Sequence, residues 1–212
     1  MNRVEFERHR GQHILLAREV ILNEARALSE TAEGIGADFA DAVELMVQCK
    51  GQIVTCGVGK SAHIAAKVAS TLSSTGTPAS FLNANEAVHG DLGGLRKGDI
   101  VLVVSHSGEN PEILAVLPLF KRLELPVIAI TDNLQSTLSL VSNIVLIPGT
   151  RSHADPIGLA PTASSAAAMA IGDSLALAIA QHRGLTVKDF EHRPGGALGK
   201  LMDSVYGRPT AE

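Results

Sequence analysis

The stretch from Asp99 to Phe120 constrains the fold of this chain more than any other. Asp99 to Val104 is an apolar, β-branched run after a glycine, which predicts a buried strand. From Glu109 to Phe120 the apolar residues recur every three or four positions, which predicts a helix with a proline in its first turn. The residues between them, Ser105-His-Ser-Gly108, therefore lie where a strand ends and a helix begins.

A turn of this kind is suited to binding an anion. The first N–H groups of a helix have no acceptor within the helix, and the dipole is positive at that end. A simple helix cap is the alternative, but two serines and a glycine are more than one cap requires. We therefore interpret Ser105, Ser107 and Gly108 as a phosphate-binding loop, and the alternation of side chains predicts that His106 points away from the serines.

Short apolar strands alternate with helical patterns along the chain, which predicts an α/β fold with a doubly wound, five-stranded parallel sheet flanked by helices. The predicted strands are 52–56, 79–82, 99–104, 125–131 and 143–147, and the predicted helices are 4–32, 39–49, 62–74, 109–120, 136–141 and 162–182. Residues 83–94 are polar and glycine-rich, and we expect a functional or mobile loop there. Two leading helices in 1–50 are expected to pack on a single domain, 51–205.

The composition excludes several functional classes. The chain has 212 residues, 45% of them hydrophobic, which suits one globular domain. Aromatic residues make up 3% and the net charge is −4, so we expect no nucleic-acid partner. Two cysteines without ligand spacing indicate free thiols in a reducing compartment, and we see no membrane span or signal peptide. A cytoplasmic protein is the expectation.

The glycine-rich stretch Gly57-Val-Gly-Lys-Ser61 is the second candidate site. A P-loop would need a glycine where Val54 stands, so that motif fails. A dinucleotide fingerprint fits slightly better, with Ala62 as the third small residue, but no acid closes the second strand. A plain glycine turn is the alternative. A lysine at the carboxyl edge of a buried sheet favours a ligand role for Lys60.

Glu112 and several histidines complete the candidates. Glu112 is either a solvated first-turn acid, which suits the helix dipole, or a base aimed at a sugar carbon with an acidic proton. His89, His153 and His192 lie in predicted loops, and the histidines lack the close spacing of a zinc site.

Six motifs occur in order between about residue 51 and residue 200 and together resemble the sugar isomerase (SIS) domain of D-arabinose 5-phosphate isomerases. The motifs are Gly57-Val-Gly-Lys-Ser61, Ser74-Thr-Gly-Thr-Pro78, Glu86-Ala-Val-His-Gly-Asp-Leu-Gly93, Ser105-His-Ser-Gly-Glu109, Gly158-Leu-Ala-Pro-Thr162 and Pro194-Gly-Gly-Ala-Leu-Gly199. The resemblance implies isomerisation of arabinose 5-phosphate to ribulose 5-phosphate, on the route to the lipopolysaccharide sugar Kdo. It also implies a homo-oligomer, usually a tetramer, with sites shared between subunits. No cofactor or metal is expected, and we expect the C-terminal CBS domains of many relatives to be absent.

The resemblance also implies roles for individual residues. Lys60 and Glu112 match the catalytic lysine and glutamate, and catalytic roles are also assigned to His153 and His192. One histidine, either His89, His153 or His192, is expected to assist ring opening or to carry hydroxyl protons. The substrate-binding positions are Ser61, Gly76, Thr77, His89, Ser105, Ser107, Gly108, Glu109 and Thr162. Three positions depart from the family pattern: His153 replaces a glutamate, Arg193 replaces a histidine that is displaced to His192, and Asn83 replaces a metal-binding histidine.

Three rival functions remain at this stage. The chain could isomerise a different sugar phosphate, because the departures cluster at catalytic loops. It could be a non-catalytic sugar-phosphate sensor, although Lys60 and Glu112 argue against this. A nucleotide-binding protein is disfavoured because the second strand ends without an acid.

Overall fold

The computed structural model describes residues 3–149 and 160–186. Five parallel strands form one sheet in the order β2–β1–β3–β4–β5, which confirms the predicted fold class. The strands are β1 (Ile53–Gly57), β2 (Ala79–Asn83), β3 (Ile100–Val104), β4 (Val127–Ile130) and β5 (Ile144–Leu146). The helices are α1 (Arg3–Gly34), α2 (Ala37–Val47), α3 (Lys60–Ser74), α4 (Ala84–Ala87), α5 (Pro111–Arg122), α6 (Thr137–Val141) and α7 (Thr162–His182), with a 3₁₀ helix at Asp91–Gly94.

The sheet is covered on both faces, which explains why its central strands are apolar without interruption. Every residue of β1, β3 and β4 is buried. Because successive side chains point to opposite faces, Leu102 packs in a cluster with residues of α2, α3 and α7. Its neighbour Val103 packs on the other face with residues of α4, α5 and α6. The molecule therefore has three layers, with the sheet in the middle.

The order in which strands are added to the sheet changes direction between β1 and β3. This point of the sheet positions the site. From β1 the chain passes through α3 to β2, on one side, whereas from β3 it passes through α5 to β4, on the other. The loops that follow β1 and β3 consequently lead to opposite faces of the sheet. Parallel sheets bind ligands in the crevice that such diverging loops leave at the carboxyl ends of the strands.

The two leading helices contact the sheet layer differently. In α2, Ala42 and Met46 are buried in the same cluster as the strands. The longer α1 packs against α7, where Ala27 meets Ala163, and the hydroxyl of Thr31 donates to the carbonyl of Pro148 at 2.7 Å. Among the side chains of α1 that the structure describes, from His9 onward, the large apolar ones that are exposed are Ile14, Leu15, Leu16, Ile21, Leu22 and Leu28.

Residues 83–94 contain more regular structure than the sequence predicted. Asn83 caps a short helix, α4, by accepting a hydrogen bond from the N–H of Asn85 at 3.0 Å. Ala84 and Ala87 are buried against α5, so packing stabilises a helix that is too short to persist alone. A 3₁₀ helix then covers Asp91–Gly94. The predicted long loop is wrong for these two segments, because local capping and burial outweigh their polar composition.

By length and composition alone, α7 could cross a membrane. Between Thr162 and Gln181 this helix holds one charged residue, Asp173. Half of its most apolar window is nevertheless buried inside the protein, against α1, α2 and α3. Gly172 lets α3 approach closely, since a Cβ there would lie 2.3 Å from a methyl group of Val68. These contacts are those of a core helix.

Candidate active site

The crevice between the β1 and β3 loops holds an open cavity of about 350 Å³. Cavities of this size accommodate small-molecule ligands. The structure therefore brings together the two stretches that the sequence singled out. The cavity is lined by Val58, Gly59, Lys60, Ser61, His106, Ser107, Asn110, Glu112 and Pro161.

Lys60 reaches the cavity because the chain turns sharply between β1 and α3. Gly59 adopts a φ of +58°, in the left-handed region that favours glycine, and Lys60 follows as the first residue of α3. Gly57 allows the helix to approach the strand, since a Cβ there would lie 2.7 Å from the carbonyl oxygen of Ser61. Lys60 is exposed at the mouth, and its ammonium group can donate to a ligand oxygen.

Glu112 reaches the same cavity from the opposite side. It lies in the first turn of α5, after Pro111, and is half-buried. The side chain of Asn110 precedes it but makes no cap hydrogen bond to the helix, because its Oδ1 accepts from the Ser105 hydroxyl at 2.7 Å. A carboxylate and an ammonium group thus line one cavity from two different loops, an arrangement that can exchange a proton and stabilise an anion.

Ser105 does not contribute its hydroxyl to the cavity, contrary to the sequence interpretation. Ser105 is buried, and its Oγ accepts from the N–H of Gly108 at 3.0 Å while donating to Asn110. Its hydroxyl therefore closes the loop internally. Ser107 is exposed and lines the cavity, and its Oγ accepts from the N–H of Glu109 at 3.3 Å. Of the two serines, Ser107 is the one placed to meet a ligand.

Gly108 and Glu109 anchor the loop to α6. Gly108 is buried with a φ of +66°, and a Cβ there would lie 2.2 Å from the Oγ of Ser136. The carboxylate of Glu109 accepts from the N–H of Thr137 at 2.5 Å and from its hydroxyl at 3.1 Å. Glu109 was predicted to bind substrate, but both carboxylate oxygens are engaged by α6 and it does not line the cavity.

His106 lines the cavity together with Ser107, although the alternation of side chains predicted that it points away. Its Nδ1 lies 2.8 Å from Oδ2 of Asp132, the second residue after β4. The imidazole also lines an adjoining cavity of about 50 Å³, which shares Lys60 and Ser61 with the larger one. The prediction was wrong because strand alternation does not persist into the loop, where the carbonyl of His106 accepts from Thr131 and Asp132.

Sequence reasoning therefore missed two site residues, His106 and Asp132. A signal was available, because each is the second residue after a buried strand and β3 pairs with β4. Carboxyl ends of neighbouring parallel strands meet at the same edge of the sheet.

Other predicted positions lie away from the cavity or beside it. Lys60 is the first residue of α3, whereas Gly76 and Thr77 follow its last turn. The fifteen-residue helix is roughly 22 Å long, and this length separates Gly76 and Thr77 from Lys60 within one chain. Thr77 is buried and its hydroxyl accepts from Arg183. His89 is exposed at the carboxyl end of the sheet but does not line the cavity. Thr162 begins α7 beside the lining residue Pro161.

Two predicted catalytic residues, His153 and His192, lie outside the described residues. Within residues 3–149 and 160–186, no three His, Cys, Asp or Glu side chains cluster as metal ligands. Cys56 lies in β1, and burial raises the pKa of its thiol to about 12, so it is not a nucleophile at neutral pH.

A comparison with protein-family models finds that residues 45–178 match the SIS domain. The chain belongs to the SIS domain family. The matched span covers well over half of the chain and includes every residue that lines the cavity. It also begins within α2, whose Met46 is buried in the core of the sheet.

Other SIS proteins resemble this chain at high identity. The arabinose 5-phosphate isomerase KdsD of Escherichia coli strain K12 is 44% identical over 186 residues, covering 87% of this chain and 57% of the relative. KdsD of Pseudomonas aeruginosa is 43% identical over 187 residues, covering 88% and 57%. This chain therefore spans between half and two thirds of the length of these curated relatives.

Solved structures also resemble this chain in fold. The E. coli CFT073 protein c3406 in complex with arabinose 5-phosphate has a TM-score of 0.81 and 38% identity, covering 90% of this chain and 97% of that one. The Vibrio vulnificus NanR protein, complexed with ManNAc-6P, has a TM-score of 0.68 and 21% identity, covering 87% and 67%. At that identity NanR shares the fold alone.

Proposed function

We propose that this chain isomerises an aldose phosphate to the ketose phosphate, with D-arabinose 5-phosphate and D-ribulose 5-phosphate as the pair. One observation carries the proposal: Lys60 at the start of α3 and Glu112 in the first turn of α5 line the same cavity. The cavity lies where the strand order of the sheet changes direction. An ammonium group and a carboxylate are the two groups that enolisation of a sugar requires, one to stabilise the oxyanion and one to move the proton.

In the proposed reaction Glu112 moves a proton between neighbouring carbons. Its carboxylate takes the proton from the second carbon, and the bonding electrons form the double bond of a cis-enediol. The carboxylic acid then returns the proton to the first carbon, so Glu112 ends as it began. Lys60 stabilises negative charge on the enediolate oxygens, because its ammonium group is positively charged and can donate hydrogen bonds to them.

The phosphate group of the sugar is assigned to the loop before α5. The hydroxyl of Ser107 is a donor at the cavity edge. Pro111 has no N–H, so the backbone donors of the first turn of α5 are the N–H groups of the two residues after it. Ser61 lines both cavities and adds a further hydroxyl. Anchoring the anionic end would hold the reacting carbons near Glu112, which removes much of the entropic barrier. Among the predicted positions, Ser107 and Ser61 are the side chains that support this assignment.

The substrate assignment is supported by the SIS relatives. The KdsD proteins are named arabinose 5-phosphate isomerases, and the c3406 structure holds arabinose 5-phosphate. We extend the assignment to supply of the lipopolysaccharide sugar Kdo in the cytoplasm, in line with the resemblance of the sequence motifs. Cys49 and Cys56 are free thiols, as a reducing compartment would allow.

The active unit in this proposal is a homo-oligomer. Six apolar side chains of α1 are more than a third exposed, and they extend over several turns of a 32-residue helix. An uncovered apolar face of this length is typical of a protein–protein interface. A second copy is the partner that the family resemblance implies, and it could bring residues such as His89 to a neighbouring cavity.

The decisive experiment compares Glu112→Gln and Lys60→Met with the parent in an assay of arabinose 5-phosphate turnover. We expect each variant to lose at least about 100-fold in kcat, because each lacks a group that acts in the transition state. Glu112→Gln should still bind the sugar phosphate, since glutamine has the same shape. The assay should be repeated with pentose, hexose and heptose phosphates to establish the preferred sugar.

Matched control variants lie away from the cavity. Lys121→Met removes an exposed lysine from the last turn of α5, and Asp41→Asn removes an exposed carboxylate from α2. Both should turn over arabinose 5-phosphate at the parent rate. A Glu112→Gln variant that is as active as the parent would refute the base assignment, and binding without turnover by the parent would indicate a sensor.

A further inference from the structure

We propose that His106, oriented by Asp132, is the residue that carries the hydroxyl proton during isomerisation. The inference rests on the proposed function, since it assigns a further catalytic residue to that reaction. Moving a proton between two carbons leaves a second transfer undone, because the hydroxyl oxygen on one carbon must lose a proton and the carbonyl oxygen on the other must gain one.

The position of His106 meets this requirement. It lines both the larger cavity and the smaller adjoining one, and both also include Lys60. A ligand in the larger cavity therefore has both the ammonium group and the imidazole in the walls around it. Its side chain is 54% exposed to the cavity and solvent, whereas that of Asp132 is only 18% exposed. The imidazole is accessible to a ligand, and the carboxylate lies behind it.

The hydrogen bonds of Asp132 orient the imidazole. Its Oδ2 lies 2.8 Å from Nδ1 of His106, and its Oδ1 accepts from the N–H of Gly149 at 3.0 Å. The contact assigns the proton to Nδ1, because a carboxylate can only accept. Nε2 is then left with a lone pair, as a proton acceptor needs. The same division of roles between a carboxylate and an imidazole operates in hydrolytic triads.

The backbone around His106 is also held in place. Its carbonyl oxygen accepts from the hydroxyl of Thr131 at 3.1 Å and from the N–H of Asp132 at 3.2 Å. The side-chain amide of Asn133 donates to the carbonyl of Ser107 at 3.2 Å. Three hydrogen bonds thus attach the loop after β3 to the loop after β4. A positioned imidazole can act as an acid or base without first being ordered.

The proton balance closes without any other reactant. In the direction from aldose to ketose, Nε2 of His106 takes the proton from the hydroxyl on the second carbon and gives a proton to the oxygen on the first. Glu112 meanwhile moves the carbon-bound proton from the second carbon to the first. The C–H electron pair forms the enediol double bond and then the new C–H bond. Imidazole and carboxylate both return to their starting states.

The test compares His106→Gln and Asp132→Asn with the parent. His106→Gln should lower kcat about 100-fold, with KM changed less than threefold, because general acid–base catalysis contributes at this scale. Asp132→Asn should lower kcat at least tenfold, with KM changed less than threefold. The loss is expected because an amide can donate to Nδ1 as well as accept from it, so it no longer fixes the tautomer in which Nε2 accepts a proton.

Other charged groups face His106, so its contribution must be separated from theirs. Lys60 on α3 and Glu112 on α5 line the same cavity, and Asp132 lies behind the ring. Asp132→Glu keeps a carboxylate that can accept from Nδ1, so it should recover part of the kcat that Asp132→Asn loses. The matched control is His182→Gln, at the opposite end of α7 from the cavity, which should retain the parent kcat and KM.

The outcomes separate this inference from the proposed function. A parent that turns over arabinose 5-phosphate, an inactive Glu112→Gln and a His106→Gln within twofold of the parent would overturn the role of His106 alone. An Asp132→Asn variant with the kcat of the parent would overturn the orienting role of Asp132. A parent that isomerises none of the sugar phosphates would overturn the proposed function, and the role of His106 with it.

Discussion

At the scale of single residues, Cys56 predicts how stability depends on pH. Burial raises the pKa of its thiol to about 12, whereas the pKa of a cysteine in an unfolded chain is about 8.5. Below pH 8 the thiol is mostly protonated in both the folded and the unfolded state. Between the unfolded and the folded pKa only the unfolded thiol loses its proton, which favours unfolding. The free energy of unfolding of the parent minus that of Cys56→Ala should therefore fall by about 2 kcal/mol between pH 8 and pH 10. Urea unfolding measures both values.

Cys49 provides the comparison for this measurement. Its thiol is half-buried, and burial raises the pKa of that thiol as well. The difference between the parent and Cys49→Ala should shrink in the same direction as pH rises. A difference between the parent and Cys56→Ala that stays constant across this range would contradict the assigned environment of Cys56.

At the scale of elements, the unit of β3, loop and α5 depends on Gly108. An alanine there would occupy the left-handed region and place its Cβ 2.2 Å from the hydroxyl oxygen of Ser136, which caps α6. Gly108→Ala should lower the free energy of unfolding by about 2 to 4 kcal/mol, from backbone strain and overpacking together. Thermal or urea unfolding would measure this loss, and turnover should fall because the loop before Glu112 must move.

Gly93 offers a matched glycine-to-alanine control. It lies in the 3₁₀ helix, and a Cβ there would meet nothing within 4 Å. Gly93→Ala should change the free energy of unfolding by no more than about 0.5 kcal/mol. Equal stability of Gly108→Ala and Gly93→Ala would mean that α6 can shift away from the loop at little cost.

At the scale of the whole molecule, α1 predicts self-association. Leu15 and Leu22 are 65% and 64% exposed and lie seven residues apart, on one face of the helix. Sedimentation should give the parent a mass that is a multiple of one chain. The double variant Leu15→Glu, Leu22→Glu should sediment as a single chain, since two buried carboxylates in each subunit would oppose association.

The control for this experiment is Leu140→Glu. Among the residues that the structure describes, Leu140 is the most exposed large apolar side chain, at 74%, and it lies on α6 rather than α1. This variant should keep the mass of the parent. A parent that sediments as one chain at the concentrations used for the assay would refute the proposed oligomer.

The strands and long helices were predictable because burial leaves a local signature. A strand covered on both faces needs consecutive apolar residues, and β1, β3 and β4 show them. Boundaries were less accurate: β4 begins at Val127 rather than Leu125, because a strand ends where pairing with its neighbour ends. The short α4 escaped prediction because the cap from Asn83 and two buried alanines stabilise it.

The site was predictable in its outline but not in its atoms. Lys60 and Glu112 could be placed because each begins a helix after a buried strand, and parallel topology brings such helix starts to one edge of the sheet. The role of Ser105 could not be predicted, because its hydroxyl donates to the side chain of Asn110, five residues along the chain. His106 and Asp132 meet only because β3 pairs with β4.

The amino-acid sequence by itself determined the layers of this protein, since periodicity and burial are local properties of a chain. It also determined which loops carry chemistry, since glycines and small polar residues follow the buried strands. Only the tertiary structure decided which polar atoms serve the fold and which remain available to a ligand. The reason is that a hydroxyl, carboxylate or imidazole acts through its partners, and strands distant in sequence bring those partners together.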